Sequence, residues 1–290
     1  MAFVKIGSPA LTVTLDTLGA ELASIRTADG AEWLWQGDPA IWAGRAPILF
    51  PVVGRTPEGF VTVGGKKFPI GNHGFARTSL FNVVEEAANS IRLRIADTEE
   101  TRQSFPFAFS LDIVFAIEDG TLINRAEVTN TGAEAMPFSF GFHPAFQWPL
   151  PGGEGKPHWL TLQGGEEPPT HRLGEHLVLA SAIEPTVFAK GRYQPKAADF
   201  ERDAIIIEKI ASAAVSFGVD GGPQINVGWE GLSSLGIWQK PGAPYLCIEP
   251  WQGLPPWVGG SVALEDRPGS VTLAPGAMRS FTMTIAPRAA

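Results

Sequence analysis

Apolar and polar residues alternate with a period of two along most of the chain, the signature of strands with one face on a core. Leu11, Val13 and Leu15 share one face of a segment whose intervening residues are Thr12 and Thr14. From Ser90 to Ala96, Ile91, Leu93 and Ile95 fall on one side, with Arg92 and Arg94 on the other. The pattern repeats from Phe109 to Ile117 and from Leu122 to Val128, and the intervening Glu118-Asp119-Gly120 predicts a turn. Gly64-Gly65 divides Phe60 to Phe68 into a hairpin. Arg267-Pro268-Gly269-Ser270 marks another turn, and the last strand is expected from Arg279 to Ile285. No long segment carries a helical period. The least regular stretch, Pro149 to Pro169, reads as a long surface loop, because strands of the same style resume beyond it. The pattern therefore predicts one domain over residues 1–290, all-β, a large antiparallel β-sandwich of two packed sheets.

Composition reinforces this reading. Gly (33) and Pro (25) make up a fifth of the 290 residues, against about 12% in average usage. Both are poor helix formers, and both suit a chain with many turns. Charged residues are only 18%, and the net charge is −8 with no basic stretch. That balance argues against nucleic acid, whose binding depends on neutralising phosphates. A neutral small molecule is easily accommodated, whereas an anionic one needs arginines gathered locally. One cysteine, Cys247, excludes an intrachain disulfide and a four-cysteine zinc site, and points to a cytoplasmic location. The N-terminal segment lacks the apolar core of a signal peptide, and no run suits a membrane helix.

Three segments interrupt the alternation with reactive side chains. Gly71 to Arg77 places His73 among small residues, with Arg77 four positions on; taken alone, such a histidine is more often structural or solvated. In Phe138 to His143, read as one strand, three phenylalanines share a face and Ser139, Gly141 and His143 share the other. That small, polar face either leaves room for a ligand or is simply an outer sheet face. In Tyr245 to Trp251, Glu249 lies on the side of Tyr245 and Cys247, opposite Leu246 and Ile248. Partial burial would raise its pKa and make it a proton acceptor near neutrality, unless it is an exposed strand end.

Nine tryptophans are many for this length, and Trp42, Trp148, Trp238, Trp251 and Trp257 lie near these segments or at strand ends. Indole faces stack on the C–H faces of sugar rings, although a single Trp is more often packing. No HxH or HExxH spacing, GxSxG, GxGxxG or phosphate loop is present, so neither a metal nor a nucleotide cofactor is expected.

Taken together, GAELASI (19–25), RAPILFPVVGR (45–55), NHGFAR (72–77), VTNTGAEAMPFSFGFHPAF (128–146) and IWQKPGAPYLCIEPWQG (237–253) resemble the aldose 1-epimerase (mutarotase) family, in particular a branch with HGFAR, HPAF and EPW motifs. The resemblance implies the galactose mutarotase-like supersandwich, with a small-molecule sugar on a concave sheet face, no cofactor, and a monomer or homodimer. It implies His143 as the acid toward the ring oxygen, Glu249 as the base at the anomeric hydroxyl, and His73 as the second active-site histidine. Arg55 and Arg77 would bind substrate, with Trp251 as a flat apolar face and Asp203 as the nearest candidate for a hydroxyl-binding acid. A histidine near its ordinary pKa and a raised Glu would suffice for the chemistry.

One departure stands out: where relatives follow EPW with G-x-x-D, this chain has Gly253-Leu254-Pro255-Pro256-Trp257. Three readings follow. The first is a 1-epimerase of a free hexose or related sugar. The second is a 1-epimerase of a sugar 6-phosphate or acidic sugar, which two or three arginines at the pocket would favour. The third is a non-catalytic carbohydrate-binding protein, which would not need a His–Glu pair across one ring.

Overall fold

The computed structural model describes residues 2–289. Its largest sheet has nine antiparallel strands in the order Arg192–Tyr193, Trp159–Leu162, Ala214–Gly218, Gln224–Glu230, Met278–Arg288, Thr121–Asn130, Phe109–Glu118, Ser90–Ala96 and Asn82–Glu86. A second sheet runs Ile205–Ile207, Ser234–Trp238, Tyr245–Gln252, Phe140–Phe142 and Ile48–Leu49, with Ala145–Gln147 also paired to the central Tyr245–Gln252. A three-stranded sheet, Phe3–Gly7, Leu11–Asp16 and Glu21–Thr27, stands at the N-terminal end.

Local chemistry sets these elements. Thr121 pairs with Glu118, so the turn between them is Asp119-Gly120, and both residues have positive φ (47° and 75°). Such a two-residue turn matches the right-handed twist of the strands it joins. Leu111, Ile113, Phe115 and Val128 then point into the core, where they join Leu246, Ile248, Phe140 and Phe142 from the second sheet. Phe140 stacks on Phe281 of the large sheet at 5.0 Å and 8°. Each such side chain, fully buried, contributes about 1.5–3 kcal/mol. The alternation expected in the sequence is thus the division between this core and the outer faces.

Two expectations need correction. Pro149 to Pro169 is not all loop, because Trp159–Leu162 joins the large sheet beside Ala214–Gly218. Its four residues lie between Gly- and Pro-rich turns, too short to show a period. Phe138 to His143 is not one strand either. Met136–Phe138 pairs with Val271–Leu273, whereas Phe140–Phe142 belongs to the second sheet. The chain changes sheet at Ser139, whose N–H donates to the Pro51 carbonyl at 2.8 Å.

Candidate active site

Tyr245–Gln252 lies in the middle of the second sheet, so alternate residues face opposite ways. Leu246 and Ile248 enter the core, and Cys247 packs with Trp35, Ala145 and Tyr245 on the other side. Glu249 and Trp251 follow on that second side and line a cleft. Their cross-strand neighbours explain the shape: Glu249 is opposite Gly236, and Trp251 is opposite Gly141. A Cβ added at Gly141 would lie 2.5 Å from the Trp251 ring, and one at Gly236 would lie 2.6 Å from it. The indole therefore lies flat across two glycines and forms the cleft floor. The open face expected around Gly141 exists, but the tryptophan fills it.

His143 leaves the adjoining strand beside Glu249, with Nε2 3.1 Å from Oε2. The approach is close but poorly aligned, and Glu249 Oε2 and His143 Nδ1 both lack a hydrogen-bond partner. Trp42 stacks on the imidazole at 5.3 Å, and Trp238 meets it edge-on at 5.8 Å. These rings exclude water and lower the local dielectric. Glu249 is 1% exposed; burial, with a smaller push from Asp203, raises its pKa well above the carboxylate range. Burial draws His143 the opposite way, to about 3. The expectation of a histidine near its ordinary pKa is thereby corrected: the resting pair favours a neutral imidazole beside a protonated carboxyl.

His73 lines the cleft at φ 63°. The Gly54 N–H donates to its Nδ1 at 3.1 Å, which leaves Nε2 to carry the ring proton in the neutral form. Its ring meets His143 edge-on at 5.7 Å. Burial lowers its pKa well below the usual value, and His143, Arg77, Arg267 and Arg55 add to the effect. Gly74 allows this placement: a Cβ there would come within 2.2 Å of the Phe50 carbonyl oxygen.

Arg55, Arg77 and Asp203 line the same cleft, so all seven residues named from the sequence converge there. Arg55 and Arg77 are exposed, and neither has a carboxylate partner among the described residues. Asp203 has φ 65°, and its Oδ1 accepts from the Ala204 N–H at 2.7 Å. Of the five tryptophans singled out, Trp42, Trp238 and Trp251 line the cleft. Trp148 packs on Phe217 and Trp257 on His171. Arg45 lies outside the cleft, its Nε donating to the Gln36 carbonyl. Sequence reasoning missed Leu173 and Leu177, which also line the cleft, and Asn72, present in a quoted motif but given no role. It also missed buried Arg267, whose only sequence signal was a turn.

His143, Cys247 and Glu249 bring ligand atoms within 4.8 Å of one another. Burial and the nearby Glu249 hold the Cys247 thiol well above its usual pKa, which keeps it protonated and makes the trio a weak metal cage.

The all-β sandwich has the galactose mutarotase-like fold, as its structural neighbours show. The chain belongs to the aldose 1-epimerase family, whose profile matches residues 3–285. It is similar to Protein LacX, plasmid, of Lactococcus lactis subsp. lactis, at 29% identity over 97% of this chain and 99% of that one. Among solved structures it resembles a galactose mutarotase related enzyme from Lactobacillus acidophilus, with a TM-score of 0.93, 28% identity, and coverage of 99% of this chain and 98% of that one. A galactose mutarotase-like protein from Lactobacillus casei also gives a TM-score of 0.93, at 26% identity, covering 99% of this chain and 100% of that one.

Proposed function

We propose that this protein is an aldose 1-epimerase, interconverting the α and β anomers of a sugar through its open-chain aldehyde. The observation that carries the reading is the 3.1 Å approach of His143 to Glu249 beside His73 and above the Trp251 floor. Both oxygens that exchange protons in this reaction, the anomeric O1 and the ring oxygen, are bonded to one carbon. An acid and a base must therefore converge on a small region, as this pair does.

Glu249 takes the O1 proton while His143 gives one to the ring oxygen. The electron pair of the O1–H bond forms the C1=O double bond, and the pair of the C1–ring oxygen bond leaves with the ring oxygen. Rotation about C1–C2 and the reverse transfers close the other anomer. The reaction needs one proton on the pair, and the resting site holds one. Transfer from Glu249 to His143 gives the working form, which the sugar favours because O1–H donates to the carboxylate and the ring oxygen accepts from the imidazolium. His73 stays neutral, and its Nε2–H steadies the ring oxygen or a hydroxyl. Each proton transfer contributes about 10²–10⁴-fold.

A specific observation favours an anionic aldose over a neutral one. Arg55 and Arg77 line the cleft without a carboxylate partner among the described residues, in a protein of net charge −8. Forked guanidinium groups suit a phosphate or carboxylate borne by the sugar. A panel of free, 6-phosphorylated and uronic-acid aldoses followed by NMR saturation exchange tests both readings. Faster exchange of the anionic members, with KM raised about tenfold in R55A or R77A, is expected. Exchange of neutral sugars alone would remove the anionic reading, and catalysis of none would leave a carbohydrate-binding protein.

A further inference from the structure

Arg267 is 3% exposed, and burial draws its pKa down to about 10; among the described residues no carboxylate offsets the cost. A buried guanidinium without a counter-charge is expensive, and its Nε has no hydrogen-bond partner among the described residues. Its one strong contact is a charge-assisted hydrogen bond from Nη2 to the Val53 carbonyl at 2.6 Å. That carbonyl belongs to the same peptide group as the Gly54 N–H, which donates to His73 Nδ1 at 3.1 Å. The two bonds leave opposite ends of one planar amide. A cation on the oxygen polarises the amide and strengthens its N–H as a donor, since linked hydrogen bonds reinforce one another.

The surroundings hold this peptide in place. Gly54 has φ 76°, and a Cβ there would meet the Pro255 ring at 2.5 Å. The Leu254 N–H donates to the Pro268 carbonyl at 2.9 Å, and the Ser270 N–H to the Arg267 carbonyl at 3.0 Å. The Arg267 turn, the Leu254-Pro255 rim and the Val53–Arg55 segment therefore pack as one unit behind His73. The return bond from the His73 N–H to the Gly54 carbonyl, 3.1 Å, closes it.

We propose that Arg267 is a positioning residue that acts through the Val53–Gly54 peptide to hold His73 as the Nε2–H tautomer, so that a proton donor always faces the cleft. The Gly54 N–H can bond only an unprotonated Nδ1, so the device also resists formation of a His73 imidazolium. His143, Arg55 and Arg77, the other groups facing His73, oppose that charge as well. The catalytic consequence rests on the proposed epimerase reading; the tautomer itself does not.

Long-range ¹H–¹⁵N correlation of the histidine rings in the full-length protein reads the tautomer directly, between pH 5 and 8. In the wild type His73 is expected as Nε2–H throughout; an Nδ1–H or imidazolium form overturns the proposal even if no variant folds. In R267Q His73 is expected to mix tautomers and titrate closer to the ordinary histidine range, with kcat down about tenfold and KM nearly unchanged. R267K, which keeps the donor and the charge, is expected to restore the tautomer and part of the lost kcat. An R267Q protein whose His73 spectrum matches the wild type overturns the proposal. If the wild type exchanges no sugar, the epimerase reading fails while the spectra still decide the role of Arg267.

Discussion

Asp112 and Glu249 are both buried carboxylates on central strands, 6% and 1% exposed, and the protein treats them in opposite ways. Asp112, on the large sheet, is gripped by Arg92 at 2.9 Å and by Arg94 Nη2 at 2.7 Å. Glu249, on the second sheet, has no cation against it; its nearest charged candidate is a histidine that burial keeps neutral. Two arginines stand in the same cleft, exposed and unpaired among the described residues, and neither forms an ion pair with it. A satisfied carboxylate stabilises a sheet, whereas an unsatisfied one holds a mobile proton at a cost in stability.

The largest effect expected from breaking it is at Glu249. E249Q should lower epimerisation by about 10²–10⁴-fold with the fold intact, and H143N should act similarly, both measurable by polarimetry of a fresh α-anomer. The mirror change, D112N, should leave kcat within about twofold. It should lose about 1–3 kcal/mol on chemical denaturation, since Arg94 and Arg92 lose their shared carboxylate.

A smaller effect lies in pH. The folded state keeps a proton on Glu249 that the unfolded chain, with its ordinary value of 4.5, releases. Stability from this group is full below pH 4.5 and falls as pH rises toward the raised native value. E249Q should therefore melt higher than wild type at pH 8, by about 2 °C or more, with a smaller gain at pH 5. For His143 the sign reverses: stability is full above its ordinary 6.5 and is lost as pH falls toward about 3. By the same shift kcat/KM should show no His143 step between pH 5 and 8. The smallest change concerns the floor: G236A should push the Trp251 ring, raising KM about threefold in steady-state assays with little effect on the pH profile.

Much of this molecule is legible in its sequence. The period-two segments Ser90–Ala96, Phe109–Glu118 and Thr121–Asn130 are strands because one face of each had to be buried. The separation of Glu249 from Leu246 and Ile248 follows from the same alternation, and the resemblance carried all seven candidate residues to one cleft. What escaped depends on partners distant in the chain. Gly141 and Gly236 are small because Trp251 lies across both, a cross-strand fact. The sheet change at Ser139 hides inside an unbroken alternation of phenylalanines with small residues. The low pKa of His143 comes from its burial, and two of the rings packed on it, Trp42 and Trp238, lie about a hundred residues away on either side; Arg267 looks like part of a polar turn until its burial is seen.

The central claim, that the unsatisfied His143–Glu249 pair moves protons at an anomeric carbon, is tested most directly by NMR saturation exchange on wild type, E249Q and D112N with the best anionic aldose of the panel. The account predicts rapid anomer exchange by wild type and D112N and the spontaneous rate alone with E249Q. Exchange by E249Q at the wild-type rate would contradict it.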